Sequence, residues 1–483
     1  MNILLVNPRY NGKSEIPPLG LESVASPLLE ADLDVFILDL DNGESQDMDE
    51  RLLKCLKEFK PAIVGVTSLS DSFASARHVF ETVKAVNHEI LTVWGGIHAT
   101  ILYDKLLKDH LVIDVIVRGE GEVTFLELIQ HFIHMRPLNG IQGISYRQGN
   151  DIVHNEDSPL IRDLDSFPMP AHHLIESGCY PTRSISSSRG CVHNCTFCSI
   201  QSQYHRVVRF RSTSHLIEEI QGLVYFGAKR IMFTDDNFTF SLKRIRDLCA
   251  EMIKQGFKRQ VSFYAQGRMD DICRNPVMAG MLSEAGFQAL YIGAESGSAD
   301  ILDYYQKGIH PNELLQGVSL CIEQNLTPVV NFILLGPKDT PDTLRETIRL
   351  AKQLFENGAE IVYTEALIPY PGTPIKEELE RDGKFRETQG TYYFQSYHDL
   401  DMGRFLCLCD CARALTRLFH KDDLFFDTRK VYYELGYLDD LLGGRIPLDV
   451  EACRMDANGP YPKDEIETLY RQTVELAKQI DGH

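Results

Sequence analysis

The sequence predicts an α/β protein: a doubly wound, Rossmann-like domain (1–136), a linker (137–178), a partial (β/α)6 barrel (179–375) and a mainly helical C-terminal domain (376–483). Two observations predict it. Short continuous Val/Ile/Leu runs alternate with helix-length amphipathic stretches in two separate series, the pattern of parallel strands buried on both faces. A stretch rich in Gly, Pro, Asn and Asp (137–170) divides the series, and these residues mark turns and linkers.

In the first series, strands are expected at 2–6, 34–38, 63–67, 91–94 and 115–117, with helices near 21–29, 50–59, 75–87 and 103–108. Such units make a doubly wound sheet, which takes ligands at the carboxyl ends of its strands. The dividing stretch reads as a small hairpin and then the linker. In the second series, strands are expected at 184–188, 230–234, 261–265, 289–293, 328–334 and 361–366, with helices such as 213–226 and 242–254. Six units without a closing pair suggest a barrel open on one side, with its chemistry at the strand carboxyl ends. From about Lys376 the rhythm is lost in polar, Tyr-rich, helical segments.

The chain has 483 residues, 43 % apolar and 24 % charged, which is ordinary for soluble protein but too long for one core. Forty-nine basic against 69 acidic side chains give a net charge of −20, a balance that argues against a nucleic-acid groove. Met1 leads directly into an apolar strand, so no signal peptide is expected, and no apolar run approaches the roughly 20 residues of a membrane helix. Twelve cysteines without secretory context point to reduced thiols and metal. A cytoplasmic, anaerobic protein is expected.

The most specific feature is Arg189-Gly190-Cys191-Val192-His193-Asn194-Cys195-Thr196-Phe197-Cys198. Three thiolates can hold three irons of a cubane cluster and leave the fourth iron open, whereas a structural zinc or four-iron site needs a fourth side-chain ligand. Cys179 and His193 are the nearby candidates, and neither stands at a familiar ligand spacing. Asp235-Asp236-Asn237 closes the strand expected at 230–234; acids there need a ligand or a helix to cap. Gln266 and Arg268 close the next strand, and a guanidinium suits a carboxylate ligand. Gly293-Ala294-Glu295-Ser296-Gly297 ends the fourth strand, and Leu335-Gly336-Pro337 and Pro369-Tyr370-Pro371-Gly372-Thr373-Pro374 follow the later ones.

The first domain carries its own strand-end segments: Pro17-Pro18-Leu19-Gly20-Leu21, Val66-Thr67-Ser68-Leu69-Ser70, Trp94-Gly95-Gly96-Ile97-His98 and Arg118-Gly119-Glu120-Gly121-Glu122. Small residues at neighbouring strand ends leave a groove where backbone amides approach a nucleotide. On periodicity alone such a domain equally suits a flavin or no ligand.

In this order and spacing, the motifs closely resemble those of the cobalamin-dependent radical S-adenosylmethionine (SAM) enzymes, the class B radical SAM methyltransferases with their anaerobic Mg-protoporphyrin ester cyclase-like branch. The resemblance implies Cys191, Cys195 and Cys198 as ligands of a [4Fe-4S] cluster whose open iron SAM chelates. It implies Phe197, Asp236, Gln266, Arg268, Glu295 and Ser296 as SAM contacts. It implies a cobalamin site at Leu19, Ser68, Leu69, Ser70, Gly95, Gly96, His98, Gly119, Glu120, Gly121 and Glu122. The chain lacks Asp-x-His-x-x-Gly, so the resemblance implies base-off cobalamin without a histidine lower ligand, the 68–70 loop facing cobalt from below, and His98 in a groove or tail contact.

The activity so implied is C-methylation of an unactivated carbon. A 5′-deoxyadenosyl radical takes the substrate hydrogen and methylcobalamin supplies the methyl group, with ferredoxin or flavodoxin as electron donor. A protein or peptide is the nominated target, in particular a glutamine of methyl-coenzyme M reductase. A cobalamin-dependent cyclase or oxygenation enzyme, or a methylase of lipids, tetrapyrroles or natural products, is the alternative. A methylthiotransferase would carry a second cysteine set in front, and only Cys55 precedes Cys179. A cobalamin sensor would not need the cysteine loop. Tyr392, Tyr393, Tyr397, Cys407, Cys409 and Cys411 in the C-terminal part read as core or surface side chains.

Overall fold

A computed structural model describes residues 1–394 apart from 11–13, 15, 43–47, 177, 335 and 389–390. Cys407, Cys409, Cys411 and Tyr397 lie outside the described residues. The chain divides into two compact units, one chiefly of 1–192 and 199–236, the other chiefly of 193–198 and 237–387.

In the first unit, β1 (Asn2–Asn7), β2 (Asp34–Asp39), β3 (Ile63–Thr67), β4 (Leu91–Gly95) and β5 (Val115–Val117) run parallel in the order β2-β1-β3-β4-β5. Successive strand side chains point to opposite faces, and here both faces are covered. Ile3, Leu5, Val93 and Val117 pack with Leu21, Ala25 and Leu28 of α1 (Leu19–Glu30) and with Phe125, Leu128 and Ile129 further along. On the opposite face, Leu4, Val6, Val64 and Trp94 pack with Leu52 of α2 (Met48–Phe59), Val79 and Phe80 of α3 (Phe73–Val86) and Leu106 of α4 (Ile97–Asp109). Double burial is why these strands read as unbroken apolar runs.

Two details go beyond the sequence expectation. A fifth helix, α5 (Gly121–Ile133), follows β5; the Gly-Glu-Gly-Glu segment reads as a ligand loop, yet Glu120 is also this helix's N-cap and Gly121-Glu122 its first residues. The expected hairpin forms as β6 (Ile144–Gln148) and β7 (Asp151–His154), and it joins the sheet by pairing β6 antiparallel to β5.

The same unit holds β8 (Arg183–Ile185), β9 (Ser188–Arg189), α6 (Ile200–Tyr204), β10 (Arg209–Phe210), α7 (Thr213–Tyr225) and β11 (Arg230–Phe233). β8 pairs parallel with β11, while β9 pairs antiparallel with β10. One continuous strand is expected at 184–188; it is broken between Ile185 and Ser188, where Ser187 turns its N–H and hydroxyl to Asp235.

In the second unit, α8 (Leu242–Gln255) leads to β12 (Ser262–Gly267), which is followed by α9 (Met269–Arg274), α10 (Val277–Ala285), β13 (Phe287–Glu295), α11 (Ala299–Tyr304), α12 (Pro311–Glu323), β14 (Thr327–Leu334), α13 (Pro341–Glu356), β15 (Glu360–Ala366) and α14 (Pro374–Arg381). β12 to β15 pair in sequence order, all parallel. α8 starts at Ser241, whose hydroxyl accepts from the Arg244 N–H, and stops at left-handed Gly256, the usual pair of helix boundary signals. All six strands expected of the second series therefore form, β8 and β11 in one unit and β12 to β15 in the other.

Candidate active site

A cavity of about 350 Å³ lies at the carboxyl ends of the first sheet, at the lower end of the size range of small-molecule pockets. It is lined by Leu19, Gly20 and Leu21 at the start of α1, by Gly65, Val66 and Thr67, by Gly95 and Gly96 before α4, and by Gly119, Glu120, Gly121 and Glu122 at the start of α5. Because β1 lies between β2 and β3, this is where the strand order reverses and a doubly wound sheet opens a crevice. Three helix N-termini therefore border one space, which favours a phosphate or other anionic group. Gly96 has φ +91°, and a Cβ there would stand 2.7 Å from Thr67 Oγ1 and 2.8 Å from the Ser68 carbonyl oxygen, so only glycine is accommodated. This glycine wall fits the nucleotide tail of cobalamin.

The remaining residues expected at that cofactor stand apart from the lining. Ser68 is buried, with its hydroxyl accepting from Trp94 Nε1 at 2.8 Å. Ser70 Oγ lies 3.0 Å from His98 Nδ1. Leu69 is 48 % exposed, so it is the member of the 68–70 loop that reaches outward. His98 is buried against Phe73 and Trp94; burial, with Lys105 nearby, lowers its pKa to about 4 and keeps the ring neutral.

Glu120 and Glu122 are committed to ion pairs. Arg189 Nη1 donates to Glu120 at 2.8 Å and Nη2 to Glu122 at 2.6 Å, and Arg209 Nη1 donates to the other Glu120 oxygen at 2.6 Å. Burial works against the Glu120 carboxylate, but Arg209 and Arg189 outweigh it and lower its pKa. Arg189, Tyr204 and Asp236 also line the cavity.

The cysteine loop starts directly after β9. Cys191, Cys195 and Cys198 are half-buried, and the loop turns where the Cys198 N–H donates to the Cys195 carbonyl at 3.1 Å. Among the described residues, no group of three or more His, Cys, Asp or Glu side chains is drawn together around a metal position. As a donor set, three thiolates on one irregular loop fit an iron–sulfur cluster. Asp236, expected at SAM, accepts from the Gly190 N–H at 2.8 Å. Burial and the adjacent Asp235 push its pKa up to about 6. Asp235 itself is buried and accepts from Ser187 and Ser188, a purely structural set of bonds.

Phe197 lies in the second unit, edge-on to Tyr305 with ring centroids 5.2 Å apart. Beside it, the Thr196 N–H donates to the Tyr305 carbonyl at 2.9 Å, and the Thr196 carbonyl accepts from the Ile375 N–H at 3.1 Å. Glu295 sits at φ +63°, just past a register shift between β13 and β14. Bulges and left-handed non-glycine residues concentrate at functional sites. The Glu295 carboxylate accepts from Lys307 Nζ at 2.6 Å, and both side chains are about 10 % exposed. Lys307 Nζ is also 5.9 Å from the Phe197 ring, and its carbonyl accepts from Arg268 Nη2 at 2.5 Å. Arg268 Nε donates to Asp270 at 2.8 Å. Ser296 Oγ bonds Thr347 Oγ1 at 3.0 Å, and Gln266 is exposed at the end of β12. Phe197, Arg268 and Glu295 therefore meet around one residue, Lys307.

Sequence reasoning does not find Lys307, Arg189 or Arg209. The carboxylate partners of both arginines lie 67 or more positions away, and Lys307 meets Glu295 across 12. The one available signal is Arg189 standing immediately before Gly190-Cys191.

The chain matches the model of the Radical SAM superfamily over residues 185–351 and that of the B12 binding domain over residues 10–129. It is 34 % identical to "Uncharacterized methyltransferase PH0819" of Pyrococcus horikoshii, over 75 % of this chain and 78 % of the relative. It is 28 % identical to the anaerobic magnesium-protoporphyrin IX monomethyl ester cyclase of Cereibacter sphaeroides, over 78 % of this chain and 64 % of that protein. In fold it is similar to the cobalamin-dependent S-adenosylmethionine radical enzyme OxsB, at 18 % identity and a TM-score of 0.74 over 99 % of this chain and 79 % of that one. The chain belongs to the cobalamin-binding radical SAM enzymes, a family that works with a four-iron cluster, S-adenosylmethionine and cobalamin.

Proposed function

We propose that this chain is a C-methyltransferase acting on an unactivated carbon. The observation that carries the reading is the cavity at the root of the cysteine loop: Arg189 and Asp236, which flank and hold Gly190, line the same glycine-walled space as Gly95 and Gly119. With cobalamin in that cavity and SAM on a cluster held by Cys191, Cys195 and Cys198, the cofactors supply a methyl donor and a hydrogen-abstracting radical. The chain's own residues bind, orient and exclude water. The glycine wall at Gly95, Gly96, Gly119 and Gly121 would let the nucleotide tail approach the backbone, while Phe197, Gln266, Arg268, Glu295 and Ser296 would present polar and aromatic contacts to SAM. Asp236 orients the root of the cluster loop through Gly190.

Cobalamin in this reading is base-off, without a histidine lower ligand. The burial of His98 among aromatic rings and its contact with Ser70 support that assignment. Among the described residues no helix is long and apolar enough to cross a membrane. A reduced cytoplasm, with ferredoxin or flavodoxin as electron donor, suits oxygen-sensitive iron–sulfur chemistry.

Methyl transfer is preferred to ring cyclisation because the relative named a methyltransferase is 34 % identical over more than three-quarters of its length. Cyclisation or oxygenation is the second reading, favoured by the relative named as a cyclase. A protein or peptide carbon, such as a glutamine of methyl-coenzyme M reductase, is the nominated target, whereas that cyclase's name states a small tetrapyrrole. The test feeds S-adenosylmethionine carrying a deuterated methyl group to the reduced, cobalamin-loaded enzyme, with peptide and small-molecule candidates in parallel. Deuterium in the product supports methyl transfer and identifies the substrate class; deoxyadenosine with an altered but unlabelled product overturns it in favour of the second reading.

A further inference from the structure

Arg189 joins two things that the sequence keeps apart. Its guanidinium spans Glu120 at 2.8 Å and Glu122 at 2.6 Å, the two acids that open α5 and line the cavity. Its cross-strand neighbour Arg209 takes the second Glu120 oxygen at 2.6 Å. Two guanidinium groups face two buried carboxylates, so the group is neutral as a whole. Two residues after Arg189 comes Cys191.

The intervening backbone has little freedom. Gly190 has φ +91°, and a Cβ there would stand 2.1 Å from the Val207 carbonyl oxygen. Its N–H is held by Asp236 at 2.8 Å, and the Cys191 carbonyl accepts from Gln201 Nε2 at 2.9 Å. A shift of the 119–122 segment therefore reaches the first cysteine through one planar fork and one constrained glycine. An ammonium group, which is a point charge, cannot hold two carboxylates in that plane.

We infer that Arg189 is a positioning residue that couples occupancy of the glycine-walled cavity to the seating of Cys191. The inference rests on the reading that the cavity takes cobalamin and that Cys191 holds the cluster. A ligand pressing on Gly119 and Gly121 fixes Glu120 and Glu122, and these fix the root of the cluster loop.

The full chain is reconstituted anaerobically as wild type, Arg189→Met, Arg189→Lys and Lys84→Met. The last variant breaks the Lys84–Asp114 pair, which is 2.6 Å long in the same unit and not part of the cavity. Hydroxocobalamin binding is followed by absorbance without reductant, and the dithionite-reduced cluster by EPR with and without added hydroxocobalamin, which dithionite converts to cob(II)alamin and whose own signal is subtracted. In wild type, hydroxocobalamin shifts the cluster spectrum. Arg189→Met binds it about tenfold more weakly and loses the shift. Arg189→Lys keeps part of both, and Lys84→Met behaves as wild type. The inference is overturned if folded Arg189→Met, with wild-type iron content, keeps both the affinity and the shift, or if wild type binds hydroxocobalamin with no shift. Should Arg189→Met not fold, Glu122→Gln carries the same expectation, and wild-type behaviour in it is the overturning result. A wild-type protein that holds no cluster or binds no hydroxocobalamin overturns the reading itself, and the coupling with it.

Discussion

Lys307 Nζ stands 2.6 Å from Glu295 Oε1, with both side chains nearly buried and Glu295 in a left-handed backbone conformation. Removing one partner of such a pair leaves an uncompensated buried charge, which costs about 3–5 kcal/mol. Lys307→Met is therefore expected to lower stability by that order and to weaken SAM binding. The double variant Lys307→Met/Glu295→Gln is expected to regain most of the stability but not the SAM affinity. Thermal melts and equilibrium dialysis with labelled SAM read the two quantities separately, and equal recovery of both would contradict a ligand role for Glu295.

Each of Cys191→Ala, Cys195→Ala and Cys198→Ala is expected to abolish reductive SAM cleavage and to reduce bound iron and sulfide to near background. Circular dichroism should stay at the wild-type level, because the loop residues are half-buried and outside the helices and strands. A variant that retained a full cluster would show that its cysteine is not a ligand.

Gly96→Ala is expected to cost about 1–3 kcal/mol, because the new Cβ meets Thr67 and Ser68 and because φ is +91°. It should also weaken hydroxocobalamin binding. Gly20→Ala, where nothing lies within 4 Å of an added Cβ, is expected to leave the melting temperature nearly unchanged. Chemical denaturation of the two variants side by side checks the contrast.

His172 is buried with Glu22 of α1 at 2.8 Å on one ring nitrogen and Glu219 of α7 at 2.8 Å on the other. Burial disfavours the imidazolium, but the two carboxylates outweigh it and raise the pKa to about 9. The folded value lies above the unfolded one, so the stabilisation is complete below about pH 6.5 and is lost as pH rises through about 9. Between pH 7 and 10, wild type should lose roughly 2–3 kcal/mol relative to His172→Asn. A flat difference in unfolding free energy across that range would refute the assignment.

Strand positions were legible in the sequence to within a few residues, because burial on both faces turns Ile3, Leu4, Leu5 and Val6 into an unbroken apolar run. The glycine segment after β4 was legible as well, since Gly96 is demanded by backbone geometry rather than by distant partners. The charge pairs were not. Glu120 carries no mark that Arg189 and Arg209 will neutralise it, and Glu295 none that Lys307 will. Such contacts depend on which loops the fold brings together, and a single chain of letters does not encode that locally. The start of α5 was hidden for another reason: Gly121 is a poor helix former, and here it opens a helix that Phe125, Leu128 and Ile129 stabilise through the core.

The clamp on Thr196 bears on how the protein is made. Its N–H waits for the Tyr305 carbonyl, and its carbonyl waits for the Ile375 N–H. During synthesis the cysteines leave the ribosome long before either partner exists. Iron delivered to the nascent chain would therefore meet a loop lacking its final scaffold, and a cluster held on this loop is expected to be completed only after translation passes Ile375.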